Sequence, residues 1–267
     1  GAIGSAVEPR APGSLRYQLL QGEPFRFIGS LGGFWPRKEF KLRADGRTPG
    51  EEIEFDEAFL FDESDTTGVA GLHWRFGEKW SLGAEAWKLD SGGGAVLTED
   101  YEWQDLTFLE GTFASAGVEL SVARVFLGRR LWSGDRWETG LGVGFHWLDL
   151  GAFIEGQILT DQGDTELERG AADAAFPMPN LGAWYLHSLS PDWAFTTRVD
   201  WLDVSLDEYS GNLWNIQLGV HWQAFEHVGF SLLGAYFELD GRIEETNWRG
   251  QVELKQYGPR ANVYVTF

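Results

Sequence analysis

The stretch Tyr257-Gly-Pro-Arg-Ala-Asn-Val-Tyr-Val-Thr-Phe267 decides the fold. Side chains of a strand alternate between faces, so Tyr257, Pro259, Ala261, Val263, Val265 and Phe267 share one face. Gly258, Arg260, Asn262, Tyr264 and Thr266 take the other. The first face is apolar with an aromatic ring at each rim; the second is mixed and polar. Such a stretch matches the roughly 9–11 residues with which a tilted strand crosses a bilayer's hydrocarbon. A helical span is excluded, because no run of apolar residues approaches the roughly 18 it needs.

The same alternation recurs upstream. Trp137, Thr139, Leu141, Val143, Phe145 and Trp147 alternate with Glu138, Gly140, Gly142, Gly144 and His146. Trp193, Phe195, Thr197, Val199 and Trp201 oppose Ala194, Thr196, Arg198 and Asp200, while Trp214 to Trp222 oppose Asn215, Gln217, Gly219 and His221. A hairpin at 68–87 turns at Gly77-Glu-Lys79 and points His73, Arg75, Glu85 and Trp87 inward. Over 114–130 the register follows from charge. Arg124 on the lipid face would cost about 2–4 kcal/mol near the midplane, so Arg124 points in, and Leu120 and Val122 point in with it unless a bulge intervenes.

The segments sum to ten strands, with a first strand over 25–35 reaching toward Arg43 and one at 176–188 entered through Pro177 and Pro179. Connections at 44–66, 91–113 and 153–175 read as long acidic loops, and those at 77–79, 132–136, 189–192 and 224–227 as short turns. Long connections lie outside the cell and short ones in the periplasm in outer-membrane barrels, which puts both termini in the periplasm. Residues 1–24 read as a flexible periplasmic leader of an already processed chain, and 25–267 as the barrel. The expected fold is all-β: a ten-stranded, antiparallel, closed transmembrane β-barrel of the bacterial outer membrane. A soluble β-sandwich or lipocalin-like barrel is the competing fold, with Trp214 to Trp222 as its core stripe.

Composition agrees. The chain holds 35 Gly, 14 Trp, 19 Phe and 7 Tyr but one Met and no Cys, and its mean hydropathy of −0.25 suits strands that show lipid only alternate residues. Absence of Cys excludes disulfides, thiol catalysis and thiolate metal sites. A formal charge of −20 argues against nucleic acid, which needs a basic footprint.

A terminal Phe preceded by this alternation resembles the closing strand of bacterial outer-membrane barrels. The chain from Phe25 onward resembles a family of small outer-membrane β-barrels of uncharacterised function. The resemblance runs through Phe61-Asp-Glu-Ser-Asp-Thr-Thr67, Trp80-Ser-Leu-Gly-Ala-Glu85, Pro177-Met-Pro-Asn-Leu-Gly182, Phe225-Glu-His-Val-Gly229 and Tyr257-Gly-Pro259. It bears on architecture and implies almost nothing about activity.

The candidate functional residues fall into two groups. His73, Arg75, Glu85, Arg124, Glu138, His146, Arg198, Asp200, His221 and Arg260 are expected in the lumen, where opposite charges should pair into a polar plug. A narrow passive channel for small or apolar solutes would use them as a selectivity lining, but the bulk of Trp87 and Trp184 inside argues against it. Glu51, Glu52, Glu54, Asp56, Glu57, Asp62, Glu63 and Asp65 form an acidic stretch whose Ile53, Phe55, Phe59, Leu60 and Phe61 should fold it back on the barrel. It is a candidate for divalent cations, which also bridge lipopolysaccharide phosphates, or for a basic partner, although no calcium-loop spacing occurs. The omptins, ten-stranded outer-membrane proteases, use paired aspartates and an Asp–His couple at the extracellular rim. The nearest counterparts here are His146 with Asp149 and Asp200 with Asp203, and no omptin motif matches residue by residue. The expectation is a structural or surface-interaction protein among membrane lipid and lipopolysaccharide, with no cofactor, no metal and no enzymatic role.

Overall fold

The structure, a computed structural model, describes residues 26–62, 66–205, 209–244 and 249–267. In chain order the elements are β1 (Arg26–Phe34), β2 (Arg37–Asp45), β3 (Ile53–Glu54), α1 (Phe55–Ala58), β4 (Thr67–Phe76), β5 (Trp80–Val96), β6 (Tyr101–Trp103) and β7 (Leu106–Phe108). There follow β8 (Phe113–Ser133), β9 (Trp137–Leu159), β10 (Thr165–Ser188), β11 (Trp193–Ser205), β12 (Tyr209–Trp222), β13 (Val228–Glu244) and β14 (Arg249–Thr266). The predicted leader lies outside the described residues.

β1 and β2 are one stave interrupted at Trp35-Pro36, where proline has no N–H to give a ladder; both halves pair with β14. Trp35 N donates to Pro259 O at 3.1 Å and keeps the chain on its neighbour through the break. Counting that stave once, the antiparallel order β1-β4-β5-β8-β9-β10-β11-β12-β13-β14 returns to β1 and closes a ring of ten. Closure satisfies backbone N–H and C=O groups in lipid, where no water is available.

The side-chain pattern divides this ring into two storeys. In β9, Leu141, Val143, Phe145 and Trp147 are exposed on the outer face while His146 is fully buried inside. One residue on, the pattern inverts: Leu148, Leu150, Ala152 and Ile154 are buried inside, and Asp149 is exposed outside. The pairing of β9 with β10 runs without a register shift through this point, so the sequence changes phase and the backbone does not. The same inversion follows Trp201 in β11 (Leu202 in, Asp203 out), Trp214 in β12 (Leu213 in, Asn212 out) and Tyr257 in β14 (Leu254 in, Lys255 out). These rings mark one margin of the lipid-facing band, and Trp80, Trp137, Trp193 and Trp222 the other, as interfacial aromatics do.

Above the inversion the barrel becomes a two-layer sandwich. β4, with 10 residues, and β11, with 13, are much shorter than β9 with 23 or β10 with 24. They stand five places apart in the ring of ten, on opposite sides. Where both have ended, the upper parts of β5, β8, β9 and β10 face those of β12, β13, β14 and β2. A core of buried side chains fills the gap, including Phe40, Phe108, Leu120, Leu148, Met178, Phe237 and Leu254. β10 pairs with β9 from Thr165 to His187 but with β11 only from Leu181. Pro177 and Pro179 sit in the half-paired part, where a missing N–H breaks one ladder at most.

Three sequence expectations change. Residues 153–175 are not a long loop: β9 and β10 pair across them as far as Leu159 and Thr165, leaving a turn at 160–164. The connection 91–113 is largely ordered too, as the end of β5 and the small β6–β7 hairpin. Pro177 and Pro179 lie inside a continuous strand rather than at its entrance. Leu120 and Val122 point inward beside Arg124 with no bulge between them; the register of β8 against β9 shifts only later, at Arg130/Trp132.

Candidate functional site

Inside the lower storey lies a layered polar network. Arg124 grips Asp200 with both branches of its guanidinium, Nε to Oδ2 at 2.5 Å and Nη2 to Oδ1 at 2.9 Å, a bidentate geometry that satisfies both carboxylate oxygens. His146 fills the gap beside them. Its Nδ1 meets Asn180 Oδ1 at 3.0 Å and its Nε2 meets Asn215 Nδ2 at 3.1 Å. Asn180 Nδ2 donates to Leu181 O at 3.1 Å, which assigns its oxygen as the acceptor. His146 Nδ1 therefore carries the proton and Nε2 accepts, so the ring is neutral and fully hydrogen-bonded. Asp200 Oδ2 stands 3.8 Å from Nε2 with no proton between them.

Nearer the short turns, Arg260 Nη2 donates to Glu85 Oε2 at 3.0 Å and Arg198 Nη2 to Glu85 Oε1 at 3.4 Å. Gln217 is assigned with its amide oxygen toward these guanidiniums, accepting from Arg260 Nη1 at 2.6 Å and Arg198 Nη2 at 3.2 Å. Arg75 pairs with Glu138, which Arg130 also approaches, Nη1 to Oε2 at 3.7 Å. These groups surround a chamber of about 270 Å³ whose other walls include Phe126, Trp184, Leu186 and Leu233. Gly140 is required here: a Cβ on it would lie 2.3 Å from the Trp184 ring and 2.3 Å from Arg129 O. His221 Nδ1 and Ser231 Oγ, 2.6 Å apart, form the lower wall, below which Tyr264 donates to Gln223 Oε1 at 3.0 Å. Arg124 lines the upper side, with Asp200 and His146 behind it and the sandwich core above them.

The opposite end is closed by the acidic stretch. Ile53, Phe55, Phe59 and Phe61 are buried in the sandwich core, and the Phe55 ring packs tilted against Trp103 of β6, centroids 5.2 Å apart. Leu60, expected to join them, is 70% exposed at a φ of 51°. Gly93 permits the approach, since a Cβ on it would lie 2.3 Å from Phe59 O. Asp56 Oδ1 accepts from Phe40 N at 3.0 Å and ties α1 to β2. Lys41 lies 3.7 Å from Glu54. Burial and the neighbouring Glu102 and Glu99 raise the Glu51 carboxyl above its ordinary value, and Glu54 beside it raises Glu57. Backbone N–H bonds from Arg47 at 2.9 Å and Thr48 at 2.8 Å hold the Asp105 carboxyl below its ordinary value.

All ten residues expected in the lumen point inside: His73, Arg75, Glu85, Arg124, Glu138, His146, Arg198, Asp200, His221 and Arg260. The polar filling is confined to the lower storey, however, and a hydrophobic core replaces it above. Of the acidic stretch, Glu51, Glu52, Glu54, Asp56, Glu57 and Asp62 are described, whereas Glu63 and Asp65 lie outside the described residues. No group of three metal-ligating side chains occurs among the described residues. The pairs set beside the omptins separate: His146 is buried inside and Asp149 exposed outside, as are Asp200 and Asp203, because a spacing of three in a strand reverses the face. A choice confined to charged residues and histidines left out Asn180, Asn215, Gln217 and Asn262. Their parity with Trp184, His221 and Arg260 on their own strands is the available signal.

No family model matches the chain. No curated protein matches it either. Among solved structures it is similar to the outer membrane protease OmpT from Escherichia coli, with a TM-score of 0.59 at 10% identity over 92% of this chain and 99% of that one. The toluene transporter TodX of P. putida gives 0.36 at 9% identity over 96% and 91%. Ail, the attachment invasion locus protein of Yersinia pestis, gives 0.25 at 8% over 89% and 99%. The first likeness shows a shared fold, that of an outer-membrane β-barrel.

Proposed function

We propose that the chain is an outer-membrane protein that anchors a folded β-sandwich at the cell surface, acting there by surface interaction and neither conducting solutes nor hydrolysing them. The phase inversion at Trp147/Leu148 carries this reading. Below it the exterior suits acyl chains; above it the interior suits a water-excluding core, and a solid core is the opposite of what a pore needs. Asp90, Glu119, Asp149, Asp203 and Glu238 face outward near the upper aromatic margin. There they would meet the outer leaflet, with divalent cations bridging them to lipopolysaccharide phosphates. The short turns, and Phe27 and Phe267, which are hydrogen-bonded to each other, then face the periplasm.

The absence of native cysteine makes the orientation test direct. With Asp161→Cys in the turn at 160–164 and Ser190→Cys in the turn at 189–192, a membrane-impermeant maleimide applied to intact cells should label the first and spare the second. Purified protein in planar bilayers should show no discrete conductance steps. The reverse labelling would overturn the orientation, and stepwise conductance the closed core.

A further inference from the structure

We propose that the chamber in the lower storey binds a small amphipathic monoanion: a carboxylate carried on a single ring or a similarly compact apolar body. Among the described residues, Arg124, Arg198 and Arg260 share two carboxylates, those of Glu85 and Asp200. Asp200 is taken by the bidentate Arg124 and one oxygen of Glu85 by Arg260 at 3.0 Å, while Glu138 pairs with Arg75 through one oxygen and its Oε2 makes no hydrogen bond within the described structure. Arg198 donates to the second Glu85 oxygen at a longer 3.4 Å and stands 4.0 Å from Asp200, which Arg124 engages more closely. Its Nε is buried and makes no hydrogen bond within the described structure. Three guanidiniums sharing two carboxylates, one of them with a buried Nε that no acceptor meets, are at bilayer depth a state that a bound anion relieves.

The remaining walls say what the anion carries. Phe126 and Trp184 meet edge to face at 6.1 Å, and Leu186 and Leu233 continue the apolar surface. Gly71 and Gly83 line the chamber without side chains and so leave its width free. About 270 Å³ falls below the roughly 300–1,000 Å³ of drug-sized sites, which favours one ring over two. Since the sandwich core stands above it, the chamber is a terminus and not a passage. The inference is thus separate from the surface role and would survive its failure.

Titration calorimetry of the full chain in an uncharged detergent, with benzoate, benzyl alcohol and inorganic phosphate as probes, tests the assignment. Benzoate should saturate at one per chain, with the other two weaker by about tenfold or more. Arg198→Gln should weaken benzoate by about tenfold, with Arg260 still holding Glu85. If that variant does not refold, Leu233→Trp, which fills the chamber from its apolar side, should abolish benzoate binding. The proposal is overturned if benzoate gives no saturable heat, if either comparison probe binds as well, or if the variant that folds retains wild-type affinity.

Discussion

Arg124 and Asp200, 76 positions apart in sequence, are joined by two hydrogen bonds that cross the lumen from β8 to β11, strands that are not neighbours in the ring. The contact braces the barrel from within at the level where its filling changes from polar to apolar.

Breaking this pair from one side strands a buried charge. Arg124→Leu and Asp200→Leu should each destabilise by about 3–5 kcal/mol, because the remaining partner keeps its desolvation penalty without its attraction. The double variant should recover most of that loss, as an apolar replacement of a whole buried pair is often close to neutral. Urea unfolding in micelles measures all three. Additive losses would mean that the two residues act independently.

The cap at the other end is held by burial. Phe59→Ala should cost about 3–5 kcal/mol, whereas Leu60→Ala, one position along and exposed, should stay within about 0.5 kcal/mol. Gly93→Val should loosen the same cap by driving a Cβ into Phe59 O. Limited proteolysis within 46–62 would follow the order of these effects.

The lower storey was legible in the sequence because each strand keeps one phase from Trp137 to Trp147, or from Trp193 to Trp201, and because Arg124 could face only one way. The upper storey was not. At Leu148 the apolar residues move from odd to even positions, and such a switch breaks the alternation, so 153–175 with its Asp161, Asp164, Glu166 and Glu168 reads as loop. The lumen charges were readable singly from parity. Their partners were not, because pairing across the ring, as in Glu85 with Arg260 or Arg75 with Glu138, depends on barrel closure and strand tilt.

The outer connections should respond to pH in two opposite senses. Asp105 has a lowered folded-state value, so its contribution is present above its unfolded value of 3.8 and is lost as pH falls through the lower folded one. Glu51 is raised, so its contribution is present below its unfolded value of 4.5 and is lost as pH rises through the higher folded one. Glu51→Gln should therefore slow hydrogen exchange around Glu102 at pH 7 and change little below pH 4.5, whereas Asp105→Asn should speed exchange at Arg47 and Thr48 at pH 7. Identical pH profiles for both variants would contradict the assignment.

The boundary between the storeys predicts a sharp dependence on position along a single strand. Val143 faces outward between the two aromatic margins, while Asp149 faces the same way just beyond Trp147. An arginine at 143 must place its guanidinium in hydrocarbon or bend to escape, at a cost of about 2–4 kcal/mol near the midplane. At 149 the same side chain stands in water or among headgroups and should change stability by no more than about 1 kcal/mol. Val143→Arg and Asp149→Arg, refolded into bilayers and unfolded with guanidinium, give the comparison directly. Similar losses at the two positions would show that the lipid-facing band reaches past Trp147, and the two-storey division of the barrel would then be misplaced.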